Sequence, residues 1–244
     1  MKTLTSFILL ALWTTVFLPS AATAQDTQDK TIKVRFRVFG WDDAPSDLHY
    51  ALRSKDTQIQ VIQDSRSVFY DYTGPAVIAF YRLKTDSKGK IVREIACQAN
   101  LEKAGSWPLI LLARNRDNPT KYDTRMLRDD LSSFPAGSYA FSNFSTTPLI
   151  GSLGGQIFNL PPAGEQLIEP KTSEDVITLF AVLVKMENDR KVPVYTNNWA
   201  IRPARRTRVF VKASDESPSG LVSIRVVEST VFPTTKEDGI TQAE

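Results

Sequence analysis

The chain has 244 residues, 30 basic and 27 acidic side chains, and a formal net charge of +3 at pH 7. This balance gives no basis for a nucleic-acid partner, which would require a concentrated basic face. One histidine, His49, and one cysteine, Cys97, exclude a zinc site made of several imidazoles or thiolates. They also exclude an intramolecular disulfide, so we expect the protein to depend on its apolar core for stability.

Residues 1–24 have the layout of a secretory signal peptide. Lys2 supplies the positive start, Leu4 to Leu18 form the apolar stretch, and Ala22 and Ala24 provide the small residues of a cleavage site. The stretch is shorter than the roughly 20 residues that span a bilayer. We therefore predict a mature chain that begins at Gln25, is periplasmic or extracellular, and has no transmembrane segment.

Short alternating segments dominate the mature chain in sequence order. Between Ile32 and Phe39, apolar residues alternate with Lys33, Arg35 and Arg37, which is the period of a strand with one buried face. Further strands are predicted at Leu48–Leu52, Ile59–Ile62, Val68–Tyr72, Val77–Leu83, Ile91–Cys97, Leu109–Ala113, Tyr139–Phe144, Gln156–Leu160, Val176–Lys185, Val192–Tyr195, Arg208–Lys212 and Leu221–Val227. Only Met126 to Phe134 has a helical pattern, of one or two turns. Many short strands separated by turn signals predict an all-β fold.

A repeat at an offset of about 100 residues, the size of one sandwich module, indicates two modules. Phe36–Phe39 is similar to Phe141–Phe144, and Ala76–Tyr81 is similar to Ile177–Val182. We predict two tandem β-sandwich modules of the Ig-like or Greek-key type. The predicted segments are a signal peptide (1–24), module 1 (31–116), a linker with a short helical turn (117–137), module 2 (138–229) and a flexible tail (230–244). One continuous sandwich is the alternative.

Residues with catalytic or metal-binding potential do not form a recognisable set. His49 alternates against Leu48, so we expect it to point outward from a strand, and no nucleophile elbow accompanies it. The acidic turn from Trp41 to Asp47 lacks the spacing of a calcium loop. Gly151 to Gly155 lies between β segments and predicts a hairpin. We therefore predict a protein that is not an enzyme, with no catalytic residue, no metal and no cofactor. A hydrolase whose carboxylates meet only in the fold stays open.

Two tryptophans and one arginine cluster are candidate ligand-binding residues. Trp41 and Trp199 lie in turn-rich places, where tryptophans either stack on sugar rings or fill the core. Arg205, Arg206 and Arg208 could bind a phosphate or an acidic polysaccharide, and on a strand Arg206 and Arg208 would share one face. The alternative is a solvated cluster that protects a sheet edge from unwanted pairing.

The second half of the sequence resembles a known group of proteins. The matching segments are Phe134–Asn143, Leu153–Gly155, Leu160–Gly164 and Arg205–Phe210. They resemble uncharacterised exported proteins of Gram-negative bacteria. The resemblance implies an exported β-rich protein and carries no site residue.

The predicted function is that of an exported, non-enzymatic envelope protein that binds a protein partner or a surface polymer. A carbohydrate-binding module is one alternative. Another is a protein similar to periplasmic pilus chaperones, which share this size and architecture and cap subunits by strand addition. The characteristic motif of those chaperones is absent before the domain junction. The sequence leaves the oligomeric state open.

Overall fold

A computed structural model describes residues 31–41, 45–115, 117–171, 178–214 and 217–229, without the side chains of 222–229. The predicted signal peptide, the predicted tail, and Asp42 and Asp43 of the acidic turn lie outside the described residues. No described residue belongs to a helix long and apolar enough to cross a membrane.

Sixteen strands form in the described part of the chain, and they confirm the all-β fold class. In the first half, residues 31–128, they are β1 (Thr31–Trp41), β2 (His49–Leu52), β3 (Lys55–Gln58), β4 (Tyr70–Pro75), β5 (Val77–Thr85), β6 (Ile91–Asn100), β7 (Pro108–Arg114) and β8 (Tyr122–Arg128). In the second half, residues 139–229, they are β9 (Tyr139–Asn143), β10 (Leu149–Leu153), β11 (Gln156–Leu160), β12 (Glu165–Ile168), β13 (Thr178–Glu187), β14 (Arg190–Ala200), β15 (Arg205–Ala213) and β16 (Leu221–Ser229).

The two halves have the same strand order. The first half forms the sheets β4-β1-β7-β8 and β3-β2-β5-β6, and the second forms β12-β9-β15-β16 and β11-β10-β13-β14. In each half the first strand pairs antiparallel with the fourth and parallel with the seventh. The repeat that is faint in the sequence is therefore complete in the strand pairing.

Each half buries an apolar cluster to which both of its sheets contribute. The first cluster includes Phe36 of β1 and Phe80 of β5, and the second includes Phe141 of β9 and Leu183 of β13. The alternation of strand side chains explains this arrangement, because one face of each sheet turns inward.

A third cluster lies at the junction of the two halves. Its buried members come from β1, β7 and β8 of the first half and from β15 of the second: Phe39, Trp41, Leu109, Leu111, Leu127 and Phe210. The sheet β4-β1-β7-β8 therefore buries apolar side chains on both faces, one within its own half and one at the junction.

The predicted helical turn at 126–134 is wrong. Strand β8 continues to Arg128 and pairs with β7, and residues 129–134 form turns instead of a helix. Met126 packs on the first cluster and Leu127 belongs to the junction cluster. Burial of neighbouring side chains on opposite faces requires a strand, and it outweighs the helical spacing of the apolar residues.

The predictions of individual strands also have errors. Residues 59–62 belong to no strand, whereas β3, β10 and β12 form where none was predicted. Each of these three strands has at most five residues, and β3 (Lys55–Gln58) is polar. Such segments provide too few alternating apolar positions for the period of two to be visible.

Candidate functional site

A buried carboxylate at the junction is surrounded by arginines. Asp129 follows β8, and its oxygens lie 2.7 Å from Nη2 of Arg37, 3.3 Å from Nη2 of Arg66, 3.5 Å from Nη2 of Arg206 and 3.3 Å from Nη2 of Arg208. All five side chains are buried. Burial alone would raise the pKa of Asp129, but the four guanidinium groups outweigh it and lower that pKa to about 2.

The same arginines connect β15 to the end of β8. Arg206 Nη1 donates to the backbone oxygens of Asp129 at 2.7 Å and Phe134 at 3.0 Å. Arg208 Nη2 donates to the backbone oxygen of Arg128 at 2.8 Å, and its Nη1 donates to Glu165. Because these bonds join the two halves through buried groups, the cluster is a structural connection between them.

The arginines predicted from sequence as ligand-binding residues have two different environments. Arg206 and Arg208 share one face of β15, as predicted, but that face is buried against Asp129 and the ring of Phe134. A surface phosphate or polysaccharide therefore has no access to them. Arg205 is exposed at the start of the strand, and its ligand binding stays a prediction. The alternative of a solvated cluster at a sheet edge is wrong, because β15 lies between β9 and β16.

The two candidate tryptophans are also separated. Trp199 is 1% exposed in the core of the second half, where it stacks on Tyr139 and donates from Nε1 to Tyr195 Oη at 3.0 Å. A sugar ring therefore has no access to Trp199. Trp41 is 9% exposed at the junction, with ring centroids 4.7 Å from Phe144 and 5.5 Å from Phe210. Ligand binding at Trp41 stays a prediction.

A small pocket opens beside Trp41. Its volume is about 150 Å³, and its lining residues are Trp41, Leu111, Ala113, Asp123, Thr124, Arg125 and Phe144. The Arg125 guanidinium lies 4.5 Å from the centre of the Phe144 ring and donates from Nη2 to the Ala163 backbone oxygen at 2.7 Å. Burial lowers the pKa of Arg125, an effect that the nearby Glu165 partly offsets.

The second half exposes apolar side chains on the sheet β11-β10-β13-β14. On β13, Leu179, Ala181 and Leu183 face the core, so Phe180, Val182, Val184 and Met186 face outward. The register places Ile150 and Ile157 on the same outward side. We call this surface the apolar outer face: Ile150, Ile157, Phe180, Val182, Val184 and Met186.

Three members of the apolar outer face are prominently exposed: Ile157 by 74%, Phe180 by 54% and Met186 by 50%. Their outward-facing neighbours across the described strands are mostly uncharged, including Ser152, Asn159, Thr196 and Asn198. The charged residue among these outward neighbours is Lys191, opposite Met186. This sheet therefore presents an apolar surface with little charge.

The corresponding sheet of the first half has a more charged outer surface, although Ile91, Ile95 and Leu83 are also exposed on it, by 66%, 40% and 36%. Tyr81 Oη donates to Asp56 at 2.5 Å, and Arg93 forms an ion pair with the same carboxylate at 2.6 Å. The Arg93 guanidinium also lies 4.9 Å from the Tyr81 ring centre, and the His49 ring stacks on that ring at 6.5 Å. We call this surface the charged outer face: His49, Asp56, Tyr81 and Arg93.

Sequence reasoning missed both Asp129 and the apolar outer face. Asp129 had no signal, because its arginine partners lie 63 to 92 positions away along the chain. The apolar outer face did have a signal: Leu179 to Val184 is apolar at both odd and even positions, a pattern typical of a strand with two apolar faces.

The chain was also compared with known proteins. No protein-family model matches it, and a search among curated proteins finds no relative.

Proposed function

We propose that this chain is an exported, non-enzymatic envelope protein that binds a partner protein through the apolar outer face. In this proposal it consists of two tandem β-sandwich modules of the Ig-like type that follow a signal peptide. The repeated strand order and the two separate cores support the modules. The observation that carries the binding function is the exposure of Phe180, Met186 and Ile157 on one side of one sheet.

The chemistry of this face favours a protein over a surface polymer. Contiguous exposed apolar surface on a soluble protein typically marks a site of interaction. An anionic polymer would require several cations, whereas Lys191 is the charged residue at the outward neighbouring positions. A neutral polysaccharide would require hydrogen-bonding groups, and the members of this face have none on their side chains. The partner is therefore a protein with an apolar patch of its own.

The buried carboxylate of Asp129 is not a candidate for acid catalysis. A general acid must hold a proton near the working pH. The pKa of Asp129 at about 2 keeps this carboxylate ionised at neutral pH, and the side chain is 1% exposed. Asp129 therefore cannot act as a general acid on a substrate.

The two alternative binding functions have less support. Strand addition requires a regular, unprotected edge. Among the edge strands, β11 is regular but has only five residues. The edge strands β6 and β14 each have a register shift, and β14 also contains Pro193. Both features protect an edge from pairing. A carbohydrate-binding module would depend on Trp41, since Trp199 is buried.

The proposal can be tested by capture from an envelope extract of the source organism on immobilised mature chain from Gln25 onward. Phe180→Asp should reduce capture of the partner at least tenfold, because a charge would be desolvated in the interface. Leu83→Asp is the matched control, since Leu83 is a partly exposed apolar residue in the sheet of the charged outer face. Circular dichroism and thermal melting should show that both variants are folded.

Three outcomes would contradict the proposal. The first is equal capture by wild type and Phe180→Asp. The second is loss of capture in Leu83→Asp with retention in Phe180→Asp. The third is an eluate of wild type that contains polysaccharide and no stoichiometric protein, which would favour carbohydrate binding at Trp41.

A further inference from the structure

The pocket beside Trp41 is separate from the apolar outer face, so the inference drawn from it is independent of the proposed function. Trp41, Leu111, Ala113 and Phe144 provide its apolar lining, and the volume is about 150 Å³. An apolar cavity of roughly 150 Å³ holds one benzene ring. The pocket therefore has space for one six-membered ring.

The positively charged side chain of Arg125 lies at the wall of this pocket. The guanidinium of Arg125 has five N–H donors, and its Nη2 bonds to the Ala163 backbone oxygen. Among the described residues, no carboxylate forms an ion pair with Arg125. Asp123 also lines the pocket, but its Oδ1 accepts a bond from Asn115 Nδ2 at 2.8 Å. Arg125 therefore retains donors for an incoming anion.

A second cation lies close to the other aromatic ring of the pocket. The ammonium nitrogen of Lys212 is 5.3 Å from the centre of the Trp41 ring. With Arg125 above Phe144 and Lys212 above Trp41, two positive charges flank the two aromatic residues of the pocket. Asp123 and Glu165 are carboxylates near Arg125, so binding of an anionic ligand depends on direct hydrogen bonds from Arg125 rather than on net charge.

We propose that this pocket binds a small monocarboxylate whose apolar part is about one six-membered ring. The ring packs against the pocket-facing sides of Trp41, Ala113 and Phe144, and the carboxylate accepts hydrogen bonds from Arg125. Small-molecule sites commonly combine an apolar lining with a few polar groups that orient the ligand. The geometry here has both parts, and the small volume restricts the size of the ligand.

The test is calorimetric titration of the mature protein with phenylacetate, and with phenylacetamide as the uncharged control. Phenylacetate should bind saturably at one site per chain, and the indole N–H signal of Trp41 should shift in the nuclear magnetic resonance spectrum. The amide should bind about tenfold to a hundredfold more weakly, because the hydrogen bond from Arg125 loses its charged acceptor.

Three variants locate the site. Ala113→Leu fills the pocket and should abolish phenylacetate binding. Arg125→Gln should weaken phenylacetate binding about tenfold or more and leave phenylacetamide binding unchanged. Arg93→Gln, which removes an arginine that contacts an aromatic ring in the first half, should change neither. Absence of saturable phenylacetate binding to wild type would overturn the proposal. Equal affinity for acid and amide, or unchanged binding to a folded Arg125→Gln protein, would also overturn it.

Discussion

The charged outer face and the apolar outer face occupy corresponding sheets in two halves that share one strand order. In the first half, Asp56 and Arg93 form a polar network that covers the buried Tyr81. In the second half, Phe180 and Met186 stand exposed. Since the same pairing of eight strands tolerates both surfaces, the fold does not require the apolar one. Its side chains are therefore better explained by an interaction than by stability.

The buried ion pairs of Asp129 connect the two halves at the junction. We expect Asp129→Asn to weaken this connection more than any other change. The amide leaves four buried guanidinium groups without their carboxylate. Removing one partner of a buried ion pair costs about 3–5 kcal/mol. Urea denaturation should show a loss of this size, with separate unfolding transitions for the two halves because each has its own core.

Asp130→Asn is the control for that experiment. Asp130 is adjacent in sequence and accepts hydrogen bonds from Ser132 and Ser133 without contacting the four arginines. Its effect should be well below that of Asp129→Asn. A stability of Asp129→Asn within about 1 kcal/mol of wild type would mean that the cluster contributes little to the connection.

The junction should be less stable in acid than at neutral pH. The pKa of Asp129 is about 2 in the folded chain and about 3.9 in an unfolded one. A carboxylate whose pKa is lower in the folded chain than in the unfolded chain stabilises the fold at pH values above the unfolded pKa. This stabilisation is lost as the pH falls through the folded pKa. The contribution is about 2–3 kcal/mol, lost between roughly pH 4 and pH 2. The difference in unfolding free energy between wild type and Asp129→Asn should shrink over this interval, and a constant difference would contradict the assignment.

Gly151→Ala should destabilise the second half without affecting the first. A Cβ at this position would lie 2.1 Å from Cζ of Phe158, whose ring packs on Phe141 with centroids 4.7 Å apart. Overpacking of this kind costs about 1–3 kcal/mol. Ser152→Ala, on the outward side of the same strand, is the control and should be nearly neutral. Equal stability of Gly151→Ala and wild type would show that the Phe158 ring has room to move.

Tyr81→Phe is the corresponding change in the first half and should have the smallest effect. It removes the hydrogen bond from Tyr81 Oη to Asp56. The expected loss is about 1 kcal/mol, the net value of one hydrogen bond. Capture of the partner protein should be unchanged, because the charged outer face is not the proposed docking surface. Impaired capture would show that both faces take part.

The sequence predicts the all-β fold because strands such as β1 alternate apolar and charged residues, which makes the period of two visible. The wet face expected for β1 is wrong at Arg37, which is buried against Asp129. The prediction also fails at β8, where Met126 and Leu127 are both covered by different layers. The predicted shared face of Arg206 and Arg208 is correct. Their burial could not be predicted, because Asp129 lies more than 75 positions away and local pattern carries no information about such a contact.

The position of β1 inside its sheet has a consequence for folding kinetics. Arg37 of β1 pairs with Leu109 of β7, and Tyr139 of β9 pairs with Thr207 of β15, in each half roughly 70 residues apart. β1 and β9 can each pair with both of their neighbouring strands only after nearly the whole of the half has been synthesised. Pairings between such distant segments fold slowly, because the closure of a long loop precedes the contacts that stabilise it. A chain truncated before β7 would leave Phe39 and Trp41 uncovered, which is a state prone to aggregation.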